Sequence, residues 1–189
     1  MMKKLLSVLL VGMTLAVANG VDASGYDVMK EIQAVNKKIK IKESVSQNMA
    51  GAYTKTRTMY IYKNGKGWVD CELILGNGIR NSAFLVIYYT GPSWYFWDYV
   101  VVGDGYTARK LIPDDRPTHR IITGRLVEES FLVELTEEDL EFMRNAKVLR
   151  VVSSSKGSYT DLNCNTYRKN RLPFNTAVDY ALKFVKEIG

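Results

Sequence analysis

The sequence predicts an α+β protein with a mostly antiparallel sheet in the middle of the chain and helices near both ends. Between residues 53 and 135, segments of alternating apolar and polar residues are separated by Gly, Asn and Pro. A helix-capping signal precedes residues 136–146, and an amphipathic stripe covers residues 174–188. Strands grouped together and kept apart from helices are typical of α+β folds rather than of the alternating βαβ pattern.

The first 23 residues have the pattern of a secretory signal peptide. Two lysines precede the uncharged apolar run Leu5–Ala18, and Val21-Asp22-Ala23 supplies small residues for cleavage. The run is shorter than the roughly 20 residues that cross a bilayer, so we expect cleavage after Ala23 rather than a retained anchor; Ala18 is the other candidate cut. Residues 24–189 would then form one exported domain, periplasmic or extracellular, with no transmembrane segment. Its formal charge would fall from +6 to +5, because two lysines and one aspartate are removed.

In the N-terminal half, the apolar spacing of Val28, Ile32 and Val35 predicts a helix over residues 26–38. Alternation from Tyr53 to Lys63 predicts a strand. Asn64-Gly65 then predicts a hairpin, because both residues tolerate positive φ. The returning strand starts at Trp68 and places four apolar side chains on one face: Val69, Cys71, Leu73 and Leu75.

Further along, the continuous apolar run Ala83–Tyr89 predicts a central strand that is covered on both faces. We expect the next strand at Trp94–Val102, a turn at Gly103-Asp104-Gly105 and a returning strand at Tyr106–Ile112. After the loop 113–117, two more strands are predicted: His119–Thr123 and Leu126–Leu135, with a bend at Gly124 between them.

The last third of the chain predicts two helices and two strands. Thr136 and the three following carboxylates form a helix start near residues 136–146. Strands are expected at Val148–Val152 and Tyr159–Tyr167. The C-terminal stripe predicts a helix packed on the sheet, beside the N-terminal helix.

Aromatic residues are concentrated between positions 88 and 99. Seven occur there: Tyr88, Tyr89, Trp94, Tyr95, Phe96, Trp97 and Tyr99. Strand alternation would put Trp94 and Phe96 on one face and Tyr95, Trp97 and Tyr99 on the other. If only one face packs on the core, the other is an exposed platform that can stack on sugars or proteins. We choose Tyr95, Trp97, Tyr99 and nearby Arg109 as candidate ligand-binding residues; packing of both faces is the alternative.

The two cysteines, Cys71 and Cys164, would meet an oxidising compartment after export, where pairing is the default. We therefore expect a disulfide between them, with two buried thiols as the alternative. A nucleophilic thiol would need a base, and His119 is the only histidine.

Charge is distributed unevenly along the chain. Residues 26–66 hold nine basic and three acidic groups, whereas residues 126–143 hold seven acidic groups and no basic one. Six of the basic residues could form one surface: Lys37, Lys38, Lys40, Lys42, Lys55 and Arg57. Solvated faces are the simpler interpretation. We do not expect nucleic acid as a partner, because the chain has an export signal and no nucleic-acid motif.

No pattern for a catalytic centre, a metal site or a cofactor stands out. Candidate acid–base carboxylates surround the aromatic segment, but spacing alone does not pair them: Asp98, Asp104, Asp114, Asp115, Glu128 and Glu129. The sequence therefore favours a non-enzymatic binding module of the bacterial envelope, whose partner is a protein or a glycan. A small carboxylate-dependent periplasmic hydrolase and a structural or assembly component are the alternatives.

Overall fold

A computed structural model describes residues 23–35, 41–46, 49–55, 59–64, 67–77, 82–113, 115–124, 126–165 and 172–188. The predicted α+β class is confirmed. These residues contain three helices: α1 (Ala23–Val35), α2 (Glu137–Met143) and α3 (Phe174–Ile188). They also contain eleven strands: β1 (Ile41–Ser46), β2 (Met49–Lys55), β3 (Met59–Asn64), β4 (Gly67–Asn77), β5 (Ser82–Gly91), β6 (Tyr99–Gly103), β7 (Ala108–Leu111), β8 (Thr118–Thr123), β9 (Leu126–Leu135), β10 (Val148–Ser153) and β11 (Ser158–Asn163).

The larger sheet is antiparallel, in the order β1-β2-β4-β5-β9-β8. Strand β4 is long enough to pair with two strands along one edge: β3 through residues 67–71 and β2 through residues 74–77. The β3–β4 pairing of Asn64 with Gly67 confirms the predicted hairpin. Strand β5 lies between β4 and β9, and all its residues except Ser82 and Tyr88 are buried. This confirms the prediction of a central strand.

The smaller sheet has the order β11-β10-β6-β7 and is also antiparallel. Its inner face is mostly apolar and includes six buried hydrophobic residues: Val100, Val102, Leu111, Leu149, Val151 and Leu162. The opposite face carries the exposed Arg150 and Tyr159 and the half-buried Tyr99. This alternation follows from the two-residue period of strands with only one face packed.

All three helices pack around one hydrophobic cluster that includes residues of both sheets. Helix α2 begins as predicted: Thr136 accepts a hydrogen bond from the backbone N–H of Asp139, whose carboxylate accepts one from the backbone of Thr136. Helix α3 contacts β4 and β5, which confirms that the C-terminal helix packs on the sheet. It also lies beside α1, and Lys183 Nζ on α3 donates to Glu31 Oε1 on α1 at 2.7 Å.

Three predictions differ from the structure. No strand starts at Trp94; residues 92–98 are irregular and β6 starts at Tyr99. The last strand ends at Asn163, so Cys164 follows it instead of lying within it. Cys71 and Cys164 are both buried and are not joined by a disulfide, which corresponds to the alternative of two buried thiols.

Two predictions concern residues or side chains outside the described part of the chain. These are the signal peptide, of which only Ala23 is described, and the basic surface of Lys37, Lys38, Lys40, Lys42, Lys55 and Arg57. Within the described residues, no helix has the length and apolar character that crossing a membrane requires.

Candidate functional site

The irregular segment 92–98 is held by one buried carboxylate, that of Glu129 on β9. The side chain of Glu129 is 1% exposed. Its two oxygens each accept a backbone hydrogen bond from this segment: Oε2 from the N–H of Tyr95 at 2.6 Å and Oε1 from the N–H of Trp97 at 3.0 Å. Hydrogen bonds to an ionised acceptor are stronger than neutral ones. Glu129 therefore determines the path of the chain here.

Phe96 lies between these two amides and has a φ of 56°. The left-handed region costs a residue with a Cβ about 1–2 kcal/mol, and Phe96 is the only described non-glycine residue that adopts it. The residue is nevertheless 44% exposed. The bonds to Glu129 thus hold an aromatic residue in an unfavourable backbone conformation while its ring faces solvent.

On the inner side of the segment, Tyr95 and Trp97 pack into the core. Trp97 is 1% exposed, and its ring lies 5.7 Å from that of Tyr95 and 5.6 Å from that of Tyr89. Tyr89 also meets Tyr95 edge-on at 4.6 Å. Burial raises the pKa of Tyr89, the nearby Tyr95 and Glu129 add to that rise, and hydrogen bonds from Ser93 oppose it.

On the outer side, three rings form what we call the aromatic rim: Trp94, Phe96 and His119. The centroid of the Trp94 ring is 6.4 Å from that of Phe96 and 5.2 Å from that of His119, and Phe96 and His119 are 5.6 Å apart. His119 lies on β8 directly opposite Glu129 on β9, so the sheet register brings the third ring to the loop. The rim is a small aromatic surface at one edge of the larger sheet.

Lys156 and Asp98 connect the rim to the smaller sheet. The ammonium group of Lys156, in the β10–β11 turn, donates to the carbonyl oxygen of Trp94 and lies 5.0 Å from the Phe96 ring centroid. The carboxylate of Asp98 accepts from the N–H of Ser154 at 2.6 Å, and the N–H of Asp98 donates to the carbonyl of Val152 at 2.8 Å. The ammonium group of Lys156 therefore lies beside the rim.

The four residues predicted to bind a ligand do not form one site. Tyr95 and Trp97 pack inward instead of forming an exposed platform, while Phe96 on the other side is exposed. Tyr99 lies on the outer face of the smaller sheet, where Lys110 Nζ is 3.8 Å from its ring centroid. Arg109 pairs with Asp139 at 2.8 Å and with Glu138 at 3.2 Å, at the start of α2.

The sequence drew attention to this aromatic segment, but the side it predicts to be exposed is the side that packs on the core. Strand alternation places Trp94 and Phe96 on the face opposite the predicted platform, and the sequence offers His119 only as a candidate base. Local periodicity does not reveal the hydrogen bonds from Glu129, which is more than thirty residues away, or the positive φ of Phe96. The concentration of aromatic residues was the available signal.

Four of the carboxylates named from the sequence have partners among the described residues: Asp98, Asp104, Glu128 and Glu129. Glu128 pairs with Arg120 at 2.7 Å, and Asp104 accepts the N–H groups of Tyr106 and Thr107 at 2.7 Å each. His119 Nε2 lies 3.6 Å from Glu129 Oε1. In the part of the chain that the structure describes, no group of three or more His, Cys, Asp or Glu residues could hold a metal ion.

The cysteines are unsuited to nucleophilic chemistry in the folded protein. Burial raises the pKa of the Cys164 thiol to about 12, so the thiolate that would attack a substrate is scarce at neutral pH. Cys71 lies in the core on β4, with no exposed surface. Both thiols serve packing in this structure.

No family model, no curated protein and no solved structure matches this chain.

Proposed function

We propose that this protein is a non-enzymatic binding module of the bacterial envelope, which takes up its partner on the aromatic rim. One observation carries the proposal: Phe96 is held at a φ of 56° and is nevertheless 44% exposed. Strained backbone that the surrounding structure maintains is concentrated at functional sites. A ring needed only for packing would gain more by turning inward, as Tyr95 and Trp97 do.

The rim has the chemistry of a stacking surface. Aromatic rings offer a large contact area with few rotatable bonds, so little conformational entropy is lost when they bind. The three rings are positioned by different elements, namely the irregular segment and β8, and the buried Glu129 lies behind both. This support is what a preorganised site requires.

Export to the periplasm or the cell exterior belongs to the proposal. Its support is the sequence pattern of residues 1–23, a charged start followed by an apolar run and small residues. A partner in the envelope is therefore the appropriate one to test.

The test is retention of the purified protein on a washed bacterial envelope fraction, with Phe96→Gly as the main variant. Glycine adopts a positive φ readily, so this variant removes the ring and leaves the backbone path in place. Tyr106→Gly is the control, because Tyr106 is 93% exposed in a turn and is not part of the rim.

We expect Phe96→Gly to weaken retention at least about tenfold, which corresponds to the energy of one buried aromatic contact. Trp94→Ala should also weaken it, and Tyr106→Gly should bind like the unaltered protein. Equal retention of Phe96→Gly and the unaltered protein would refute the rim as the binding surface.

A second candidate function is acid–base chemistry at His119, and the observation that favours it is the His119–Glu129 pair at 3.6 Å. A carboxylate that orients an imidazole is a common support for a general base. Turnover of cell-wall, glycan or peptide substrates that is abolished by His119→Gln, with the fold intact, would establish this activity in place of simple binding.

A further inference from the structure

We infer that the partner of the aromatic rim is an extended polypeptide segment, which adds to the larger sheet as a strand beside β8. This inference rests on the proposed function, because it names the ligand of the same rim. It goes beyond it in predicting how the ligand is held: by its main chain at β8 and by apolar side chains at the rim.

Among the residues that the structure describes, β8 is an edge of the larger sheet. It pairs with β9 on one side, and no described strand pairs with its other side. All residues from Thr118 to Ile122 are exposed. Alternate residues of an edge strand point their backbone N–H and C=O groups away from the neighbouring strand. Strand β8 therefore presents a row of donors and acceptors that another strand can pair with.

Natural edge strands commonly prevent pairing with lysines or inward-pointing charges, and β8 has little of this protection. It contains no lysine. Its one arginine, Arg120, is paired at 2.7 Å with Glu128 on β9, the strand on the side away from the edge. Ile121, by contrast, is 69% exposed. The β8–β9 register shifts after Ile121, so the regular edge covers residues 118–121, a length that suits a short partner segment.

The register of β8 and β9 places the exposed edge and the rim on one face of the sheet. Alternate residues along a strand have their side chains on the same face. His119 is opposite Glu129 and Ile121 is opposite Val127, with regular pairing between them. His119, one of the three rings of the rim, therefore shares its face with Ile121, and the apolar surface of the rim continues along β8.

The same rule predicts the sequence pattern of the partner. In an added strand, the residues opposite His119 and Ile121 would point their side chains to the rim face, with their Cβ atoms about 4.5–5.5 Å from those of β8. These two residues are two positions apart, and both would meet apolar surface. The partner is therefore a segment with apolar residues at alternate positions. A sugar chain lacks a row of backbone donors and acceptors with the spacing of a strand, so the edge selects a polypeptide.

The experiment uses the capped peptide Gln-Val-Thr-Leu-Thr-Val-Gln and two N-methylated forms of it, measured by calorimetry with the purified protein. One form is methylated on the backbone nitrogens of valine and leucine, and the other on those of threonine. Alternate N–H groups of a strand point to opposite edges, so only one of the two sets would face β8. Methylation removes these donors and leaves every side chain unchanged.

The main variants are Ile121→Thr and Phe96→Gly. Threonine keeps the branched Cβ that strands favour, so Ile121→Thr removes apolar surface and retains β8. Ile112→Thr is the matched control, because Ile112 is 65% exposed and lies after the end of β7, outside β8 and the rim.

We expect one methylated form to bind like the unmodified peptide and the other to bind at least about tenfold more weakly, because its hydrogen bonds to β8 are lost. Ile121→Thr and Phe96→Gly should each weaken binding of the unmodified peptide about tenfold, because each removes an apolar contact. Ile112→Thr should bind the peptide like the unaltered protein.

Equal binding of the two methylated forms, or an equal loss in both, would overturn the inference, because pairing with a strand uses only one set of N–H groups. Peptide binding that is unchanged in Phe96→Gly, or that falls as much in Ile112→Thr as in Ile121→Thr, would also overturn it. A dimer of the protein alone that Ile121→Thr dissociates, seen by analytical ultracentrifugation, would assign the edge to a second copy of this chain instead.

The proposed function is decided separately, by retention on the envelope fraction. Absence of peptide binding, with retention still lost in Phe96→Gly, would overturn the strand addition and leave the binding function standing. Retention that Phe96→Gly leaves unchanged would refute the rim itself, and the inference would fall with it.

Discussion

Two carboxylates in this protein, Asp104 and Glu129, each accept two backbone N–H groups, one from neighbouring residues and the other from residues distant in sequence. Asp104 accepts the N–H groups of Tyr106 and Thr107, two and three residues ahead, at 2.7 Å each. Glu129 accepts the N–H groups of Tyr95 and Trp97, which lie more than thirty residues before it, at 2.6 and 3.0 Å. Each carboxylate holds a short irregular segment by two backbone donors.

The surroundings of the two carboxylates differ, and so does what they achieve. Asp104 lies in an exposed turn and shapes the connection between β6 and β7, where Gly105 adopts a φ of 101° at no steric cost. Glu129 is buried and holds Phe96, a residue that resists its conformation. The turn at Asp104 depends only on residues close together in sequence. The segment held by Glu129 depends on the larger sheet, which brings Glu129 to it, and this segment carries two rings of the aromatic rim.

The largest effect is expected from Glu129→Ala. It would leave the buried amide of Trp97 and that of Tyr95 without their acceptor, and an unsatisfied buried donor costs about 1–3 kcal/mol. We expect the free energy of unfolding to fall by about 3 kcal/mol, measured by urea denaturation. Trp97 is 1% exposed in the unaltered protein. In the variant it should become accessible to an aqueous fluorescence quencher.

The matched control for this variant is Glu128→Ala, on the same strand. Glu128 is paired with the exposed Arg120, and such surface pairs contribute about 0–1 kcal/mol. A loss of stability in Glu129→Ala no larger than in Glu128→Ala would mean that Glu129 does not hold the segment.

A smaller effect is expected from Gly91→Ala, at the end of β5 and immediately before the same segment. A Cβ on Gly91 would collide with the ring and hydroxyl group of Tyr89, which itself packs against Tyr95 and Trp97. Forcing such an overlap costs typically about 1–3 kcal/mol. Gly124→Ala is the control, since a Cβ there meets nothing within 4 Å. Equal thermal stability of the two variants would contradict the close approach of Tyr89.

These contrasts explain which features could be predicted from the sequence. The cap at Thr136, the pairing of β3 with β4 as a hairpin and the turn at Asp104 depend on residues within a few positions of each other, and all three are confirmed. The stripe of α3 and the apolar run of β5 were predicted because periodicity is itself local.

The strand assigned from Trp94 was wrong for the opposite reason. Its aromatic residues have high strand propensity, but that propensity depends on context, and the contacts to Glu129 override it. The disulfide was also a long-range inference, drawn from the expected compartment without the geometry that pairing needs. The rim could not be predicted, because it combines an irregular segment with a residue of β8 that is distant in sequence.

The smallest effect is expected from Asp104→Asn, and it depends on pH. The backbone amide of Thr107 is the main cause that lowers the pKa of Asp104 below its ordinary value of 3.8, and that of Tyr106 adds to it. The folded state thus favours the ionised form, so its contribution to stability is complete above pH 3.8 and is lost as pH falls through the lower folded pKa.

An asparagine oxygen accepts without titrating. The stability advantage of aspartate over asparagine should therefore shrink between neutral pH and about pH 3, in thermal unfolding at a series of pH values. A difference that stays constant across this range would show that the turn does not depend on the charge of Asp104, and the resemblance between the two carboxylates would then be one of geometry alone.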